Sequence, residues 1–206
     1  MTQTLLINCS LTSKSDELKE ALEAFTEAKV IDFKEITADF RIPNYFDAVV
    51  VSGSGARIVD SSQRIIFQET AELIKNCKLP LLGICYGHQL LCWAFECKVG
   101  SLAEGVFDRF ENIRIIGAND LFDGFKKGQR LPLAENHYNY VLKEGLEQAG
   151  FTLLADSASC EVEAVKHKAE PFYGVQFHPE RITLHGETHP EGHTVIEAFY
   201  KFIVKR

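Results

Sequence analysis

The chain of 206 residues is poor in several features, and each scarcity removes a class of protein. It has one methionine, one tryptophan and six prolines, with no biased tract, which excludes collagen-like, coiled-coil and disordered readings. No apolar run reaches the roughly 18 residues that span a bilayer, so no membrane is expected as a partner. The opening Met1-Thr2-Gln3-Thr4-Leu5 lacks the charged start and apolar core of a signal peptide, and a cytoplasmic setting is the expectation. A basic surplus is also missing: 22 Lys and Arg stand against 29 Asp and Glu, a net charge of −7, which argues against nucleic acid as a partner. The six cysteines contain no C-x-x-C pair, so zinc and dithiol chemistry lack support and free thiols are expected.

What is present is ordinary globular material, 46% hydrophobic and 25% charged. No linker or internal repeat divides it, and one domain over 1–206 is expected. Leu5-Leu6-Ile7-Asn8-Cys9, Ala48-Val49-Val50-Val51 and Leu79 to Ile84 read as buried strands. Between and after them, Asp16 to Ala28, Gln63 to Asn76 and Tyr86 to Glu96 carry apolar residues at helical spacing. This alternation predicts an α/β fold with a mostly parallel sheet covered by helices. The second half reads as strands with few helices: Asn112 to Ile116, Phe151 to Leu154, Val162 to Val165 and Phe172 to Phe177. Antiparallel additions to the sheet are expected from them. A closing amphipathic helix is expected over Glu191 to Val204.

Gly83-Ile84-Cys85-Tyr86-Gly87 has the form G-x-C-x-G between a predicted strand and a predicted helix. That is a nucleophile elbow with cysteine in place of serine. The glycines allow the tight turn, and the helix N-terminus favours the reactive thiolate. A cysteine nucleophile needs a base, and the base needs an orienting group. Gly174-Val175-Gln176-Phe177-His178-Pro179-Glu180 offers both at the end of a strand, making Cys85, His178 and Glu180 a candidate triad. The residue after an elbow nucleophile aims its N–H at a developing oxyanion, which assigns one donor to Tyr86.

The stretches Gly-Ile-Cys-Tyr-Gly-His-Gln-Leu-Leu (83 to 91) and Gly-Val-Gln-Phe-His-Pro-Glu (174 to 180) resemble the two signatures of class I glutamine amidotransferases. Their order and roughly ninety-residue separation also match, and Tyr86 most resembles the glutaminase part of GMP synthase. The resemblance implies a flavodoxin-like, three-layer domain. It would hydrolyse the side-chain amide of glutamine, need no cofactor, and pass ammonia to a separate synthetase, for instance one of ATP-pyrophosphatase type. It places the second oxyanion donor on Ser54, although Gly53-Ser54-Gly55 departs from the family's usual Gly-Gly-Pro. It also implies substrate contacts from Gln89 and from Glu135-Asn136-His137-Tyr138-Asn139, where His137 and Tyr138 are singled out. Two alternatives stay open, a self-sufficient γ-glutamyl hydrolase and a non-catalytic relative. His185, His189 and His193 recur every four residues, but Gly186, Pro190 and Gly192 break that spacing. A loop leading into the last helix, with no metal, is the expectation there.

Overall fold

Continuous apolar strands need cover on both faces, and this requirement organises the molecule. The computed structural model describes residues 2–12, 16–117 and 120–205; Met1 of the opening segment lies outside them. The first half runs β1 (Gln3–Asn8), α1 (Asp16–Glu23), β2 (Glu27–Asp32), β3 (Ala48–Val51), α2 (Ser61–Arg64), α3 (Gln68–Asn76), β4 (Leu81–Ile84) and α4 (Tyr86–Ala94). The second half runs β5 (Val99–Ile115), β6 (Arg130–Val141), β7 (Phe151–Asp156), β8 (Ala164–His167) and β9 (Phe172–Val175). A small hairpin, β10 (Thr183–Leu184) and β11 (Glu187–Thr188), precedes α5 (Glu191–Ala198), which continues as a π-helical turn over Phe199–Val204.

Nine strands form one sheet in the order β2-β1-β3-β4-β9-β8-β7-β5-β6. From β2 to β9 every pairing is parallel, and from β9 to β6 every pairing is antiparallel. The parallel part has the flavodoxin-like order, in which the first strand sits between the second and the third. One face packs on α1, α5 and the π-helical turn through Leu18, Leu22, Val195, Ile196 and Phe199. The other packs on α3 and α4 through Ala71, Ile74, Leu90 and Leu91. These are the three layers that the resemblance implied.

Several expected elements change. The helix expected to reach Ala28 ends at Glu23, because the N–H groups of Phe25 and Thr26 both turn back to the Leu22 carbonyl. Thr26 then donates its hydroxyl to the Thr2 carbonyl at 2.7 Å, drawing Glu27–Asp32 into parallel register beside β1. The helix expected over Gln63 to Asn76 is broken. Asp60 caps α2 through Ser62 N–H at 2.9 Å, and a 3-10 turn at Ile65–Phe67 follows. That turn swings Phe67 into the core between Phe33 and Tyr86, with ring centroids 4.3 and 4.7 Å away. The long β5–β6 hairpin was represented in the sequence only by Asn112 to Ile116. All six cysteines are free and buried. Among the described residues no helix is long and apolar enough to cross a membrane.

Candidate active site

Cys85 follows β4 and opens α4 with φ 51° and ψ −105°, a backbone conformation that L-residues rarely adopt. The flanking glycines are sterically compulsory. A Cβ on Gly83 would lie 2.5 Å from the Gly87 carbonyl oxygen, and one on Gly87 would lie 2.2 Å from the Val51 carbonyl oxygen. The sharp turn lifts the thiol off the C-terminal edge of β4, where α/β sheets carry their sites. Tyr86, as the first residue of α4, has an N–H with no carbonyl one turn earlier in the helix to bond.

His178 reaches the cysteine from the other half of the sheet. Just beyond β9, its N–H donates to the Ala134 carbonyl of β6 at 2.8 Å, which fixes the backbone across the site. Its Nδ1 lies 2.7 Å from Glu180 Oε1, and its ring borders the same space as the Cys85 side chain. Burial works against the imidazolium. The Glu180 carboxylate and the Cys85 sulfur more than offset it, holding His178 well above the ordinary histidine value. The structure therefore brings Cys85, His178 and Glu180 together in the expected order. Gly53 leaves room for them: a Cβ there would sit 3.1 Å from His178 Cε1 and 3.6 Å from Cys85 Cβ.

A cavity of about 470 Å³ opens beside the sulfur. It is lined by Ser54, Tyr86, Gln89, His137 and Tyr138, so all the expected oxyanion and substrate residues border the same space as Cys85 and His178. Their side chains differ in what they can offer. Gln89 spends its Nε2 on the Asn139 carbonyl at 2.7 Å and on Gln176 Oε1 at 3.1 Å, which leaves its Oε1 as an acceptor. The His137 ring faces inward, with Nδ1 3.0 Å from the Asn139 carbonyl and Nε2 3.3 Å from Glu135 Oε2. Its contribution to the cavity is therefore backbone. Ser54 turns its hydroxyl to the Ala56 N–H at 3.1 Å, and Ser52 donates to the Gly53 carbonyl at 3.0 Å. A larger, mostly apolar cavity of about 650 Å³ beside Phe40 and Leu73 contains none of the expected site residues.

The sequence profile of the family Glutamine amidotransferase class-I matches residues 5–200. The chain belongs to this family. It is 40% identical over 129 residues to a glutamine-hydrolyzing GMP synthase subunit of Methanothermobacter thermautotrophicus, covering 63% of each protein. A protein of the same name from Thermococcus kodakarensis is 44% identical over 102 residues, half of this chain and 51% of that protein. The matches thus span between half and two thirds of these relatives. The Pyrococcus abyssi protein of that name is 32% identical over 162 residues, 78% of this chain and 80% of its own length. A solved structure from Thermoplasma acidophilum, also named for a GMP synthase subunit, shares the fold with a TM-score of 0.80 at 21% identity, covering 97% and 92% of the two chains.

The site also holds residues that the motifs did not single out. Gln176 points its Nε2 at the Cys85 sulfur at 3.7 Å, and that sulfur approaches the Asn136 carbonyl at 3.6 Å. Gln176 stands two residues before His178, a spacing that could have flagged it. Beneath His137 lie two carboxyls with no solvent exposure, Glu135 and Glu163. Burial and mutual repulsion push Glu135 well above the usual carboxylate range; burial likewise raises Glu163, to about 7. A neutral His137 that donates from Nδ1 must accept at Nε2, and a protonated Glu135 can supply that proton. Nothing in the sequence spacing announced this pair. The three recurring histidines diverge: His185 Nε2 meets the Asp108 carbonyl at 2.9 Å, His189 packs on Phe110, and His193 faces the Glu180 carbonyl at 3.3 Å.

Proposed function

We propose that this class I amidotransferase is a glutaminase subunit that supplies ammonia to a separate synthetase in the cytoplasm. The observation that carries the reading is the strained Cys85 elbow facing a His178 imidazole braced by Glu180 at 2.7 Å. The thiolate attacks the side-chain amide carbon of glutamine, and the carbonyl oxygen becomes an oxyanion. Tyr86 N–H and Ser54 N–H are its intended donors. His178, as the imidazolium, protonates the departing nitrogen, so that ammonia leaves and a glutamyl thioester remains. Water then gives its proton to the neutral imidazole as it attacks the thioester, and glutamate departs with return of the thiolate. Gln89 Oε1 and the backbone of 136–139 border the space for the amino-acid end of the substrate.

The names of these relatives favour a partner subunit that uses the ammonia, and an ATP-pyrophosphatase-type synthetase making GMP fits those names. The six free cysteines suit a reducing compartment. Free ammonia made without an acceptor is wasted, and the hydrogen bond from Ser52 to the Gly53 carbonyl gives the loop a resting position. Turning the Gly53–Ser54 peptide to complete the oxyanion hole would break it. The test is steady-state glutamine hydrolysis by the chain alone, then with a GMP-synthesising partner loaded with nucleotide substrate and ATP. A rise of about 10²–10³ is expected, the worth of one oxyanion donor. High activity alone, indifferent to the partner and extending to γ-glutamyl peptides, would instead assign a hydrolase.

A further inference from the structure

The cavity beside Cys85 has a marked charge asymmetry. Among the described residues that line it, Arg57 is the one Lys or Arg, and there is no Asp or Glu. Arg57 directly follows the Gly53-Ser54-Gly55-Ala56 loop, and its backbone is tied at both ends. Its N–H donates to Gln63 Oε1 at 2.8 Å, and its carbonyl accepts from Asp60 N–H at 3.0 Å. The guanidinium carbon lies 4.9 Å from the centroid of the Tyr138 ring, which in turn packs on Phe107 at 5.7 Å. Among the described residues the guanidinium has no ion pair and no hydrogen bond. An aromatic face thus holds the cation at the mouth while its donor fork stays unspent.

We infer that Arg57 is the residue that reads the α-carboxylate of glutamine, an inference that rests on the glutaminase reading above. Glutamine brings a carboxylate and an ammonium at its α-carbon. The cavity opposes the first with a full charge and the second only with neutral acceptors such as Gln89 Oε1. A guanidinium matches a carboxylate with two parallel N–H···O bonds, which an analogue lacking the charge forfeits. The enzyme is therefore selective for glutamine as the free amino acid. Glutamine whose α-carboxyl is amidated, or joined in a peptide bond, leaves the guanidinium unmatched.

The experiment compares L-glutamine with L-glutamine α-amide as substrates for the wild type, Arg57→Met and Arg57→Lys. Wild type is expected to favour the acid by about 10–100-fold in kcat/KM. Arg57→Met is expected to raise KM for glutamine by a similar factor with kcat nearly unchanged, and to erase the preference. Arg57→Lys keeps the charge and recovers part of it. Calorimetric binding of both compounds to Cys85→Ala, with and without Arg57→Met, reads the same contact without turnover. If wild type hydrolyses glutamine while Arg57→Met keeps its KM and its preference, the assignment is overturned and the glutaminase reading stands. If Cys85→Ala binds glutamine in an Arg57-dependent way but wild type never hydrolyses it, the carboxylate contact stands and the glutaminase reading falls. A Cys85→Ala protein that binds both compounds equally, or neither, overturns the assignment.

Discussion

The parallel half of the sheet presents its cysteine by steric compulsion, whereas the antiparallel half presents its site residues by register. On the parallel side, the Cys85 turn exists because two glycines leave no room for anything else: the Gly87 position lies against the Val51 carbonyl of the neighbouring strand. On the antiparallel side, the glycines of the β5–β6 hairpin, Gly100 and Gly105, face side chains rather than backbone. Asn136, His137 and Tyr138 reach the cavity because β6 pairs with β5 across a long hairpin, with irregularities between Ser101 and Val106 and between Val106 and Arg109. His178 joins the two halves through its bond to the Ala134 carbonyl. One half is thus a rigid mount, and the other holds its site residues through strand pairing.

The most forceful way to break that comparison is to substitute glycines in the same neighbourhood. Gly87→Ala forces a methyl against backbone that cannot yield, at a cost of about 3 kcal/mol. For a chain of this size we expect a Tm lower by roughly 6–12 °C, with glutamine hydrolysis lost. Gly55→Ala is the control, since a Cβ there meets nothing within 4 Å. Differential scanning calorimetry and glutaminase assays on both variants check this. Equal effects at the two positions would mean that the elbow is not sterically set.

The difference between the halves also explains what could be read from the sequence. Ala48–Val51 and Leu81–Ile84 are buried at every residue and are apolar throughout, so both strands announce themselves. The elbow and the His178 segment were legible because each packs its chemistry into a few adjacent residues. By contrast, β6 buries Leu131, Leu133, Glu135, His137, Asn139 and Val141, an alternation that only the buried Ala134 interrupts. Its middle three inward residues are polar because they underlie the site, so hydrophobicity carries no period there. The edge strand β2 was hidden for the opposite reason: most of it is exposed or half-buried, and only Ala28 is fully covered.

A smaller effect sharpens the antiparallel side. Glu163 has an ordinary value of 4.5 and is raised to about 7 in the folded chain, chiefly by burial. An acid whose folded value is raised stabilises the fold fully below its unfolded value, and that contribution is lost as pH rises through the folded value. Between about pH 4.5 and 7 the wild type should therefore lose stability relative to Glu163→Gln, by an order of a few kcal/mol. The Tm of the variant minus that of wild type is expected to grow from pH 5 to pH 8, as thermal melts across that range would record. A difference that is flat or shrinks with pH would show that Glu163 is not held protonated beneath the site.

The central claim, that Cys85 is a nucleophile activated by His178 and shaped for glutamine, has one direct measurement. The protein is treated with 6-diazo-5-oxo-L-norleucine, a glutamine-shaped electrophile, and the labelled residues are identified by peptide mass spectrometry in wild type and His178→Ala. The account predicts one adduct, on Cys85, blocked by excess glutamine and slowed by orders of magnitude without His178. Cys92 and Cys97, which do not line the cavity beside Cys85, remain unmodified. Labelling spread over several cysteines, or labelling of Cys85 that neither glutamine nor the loss of His178 affects, would contradict it.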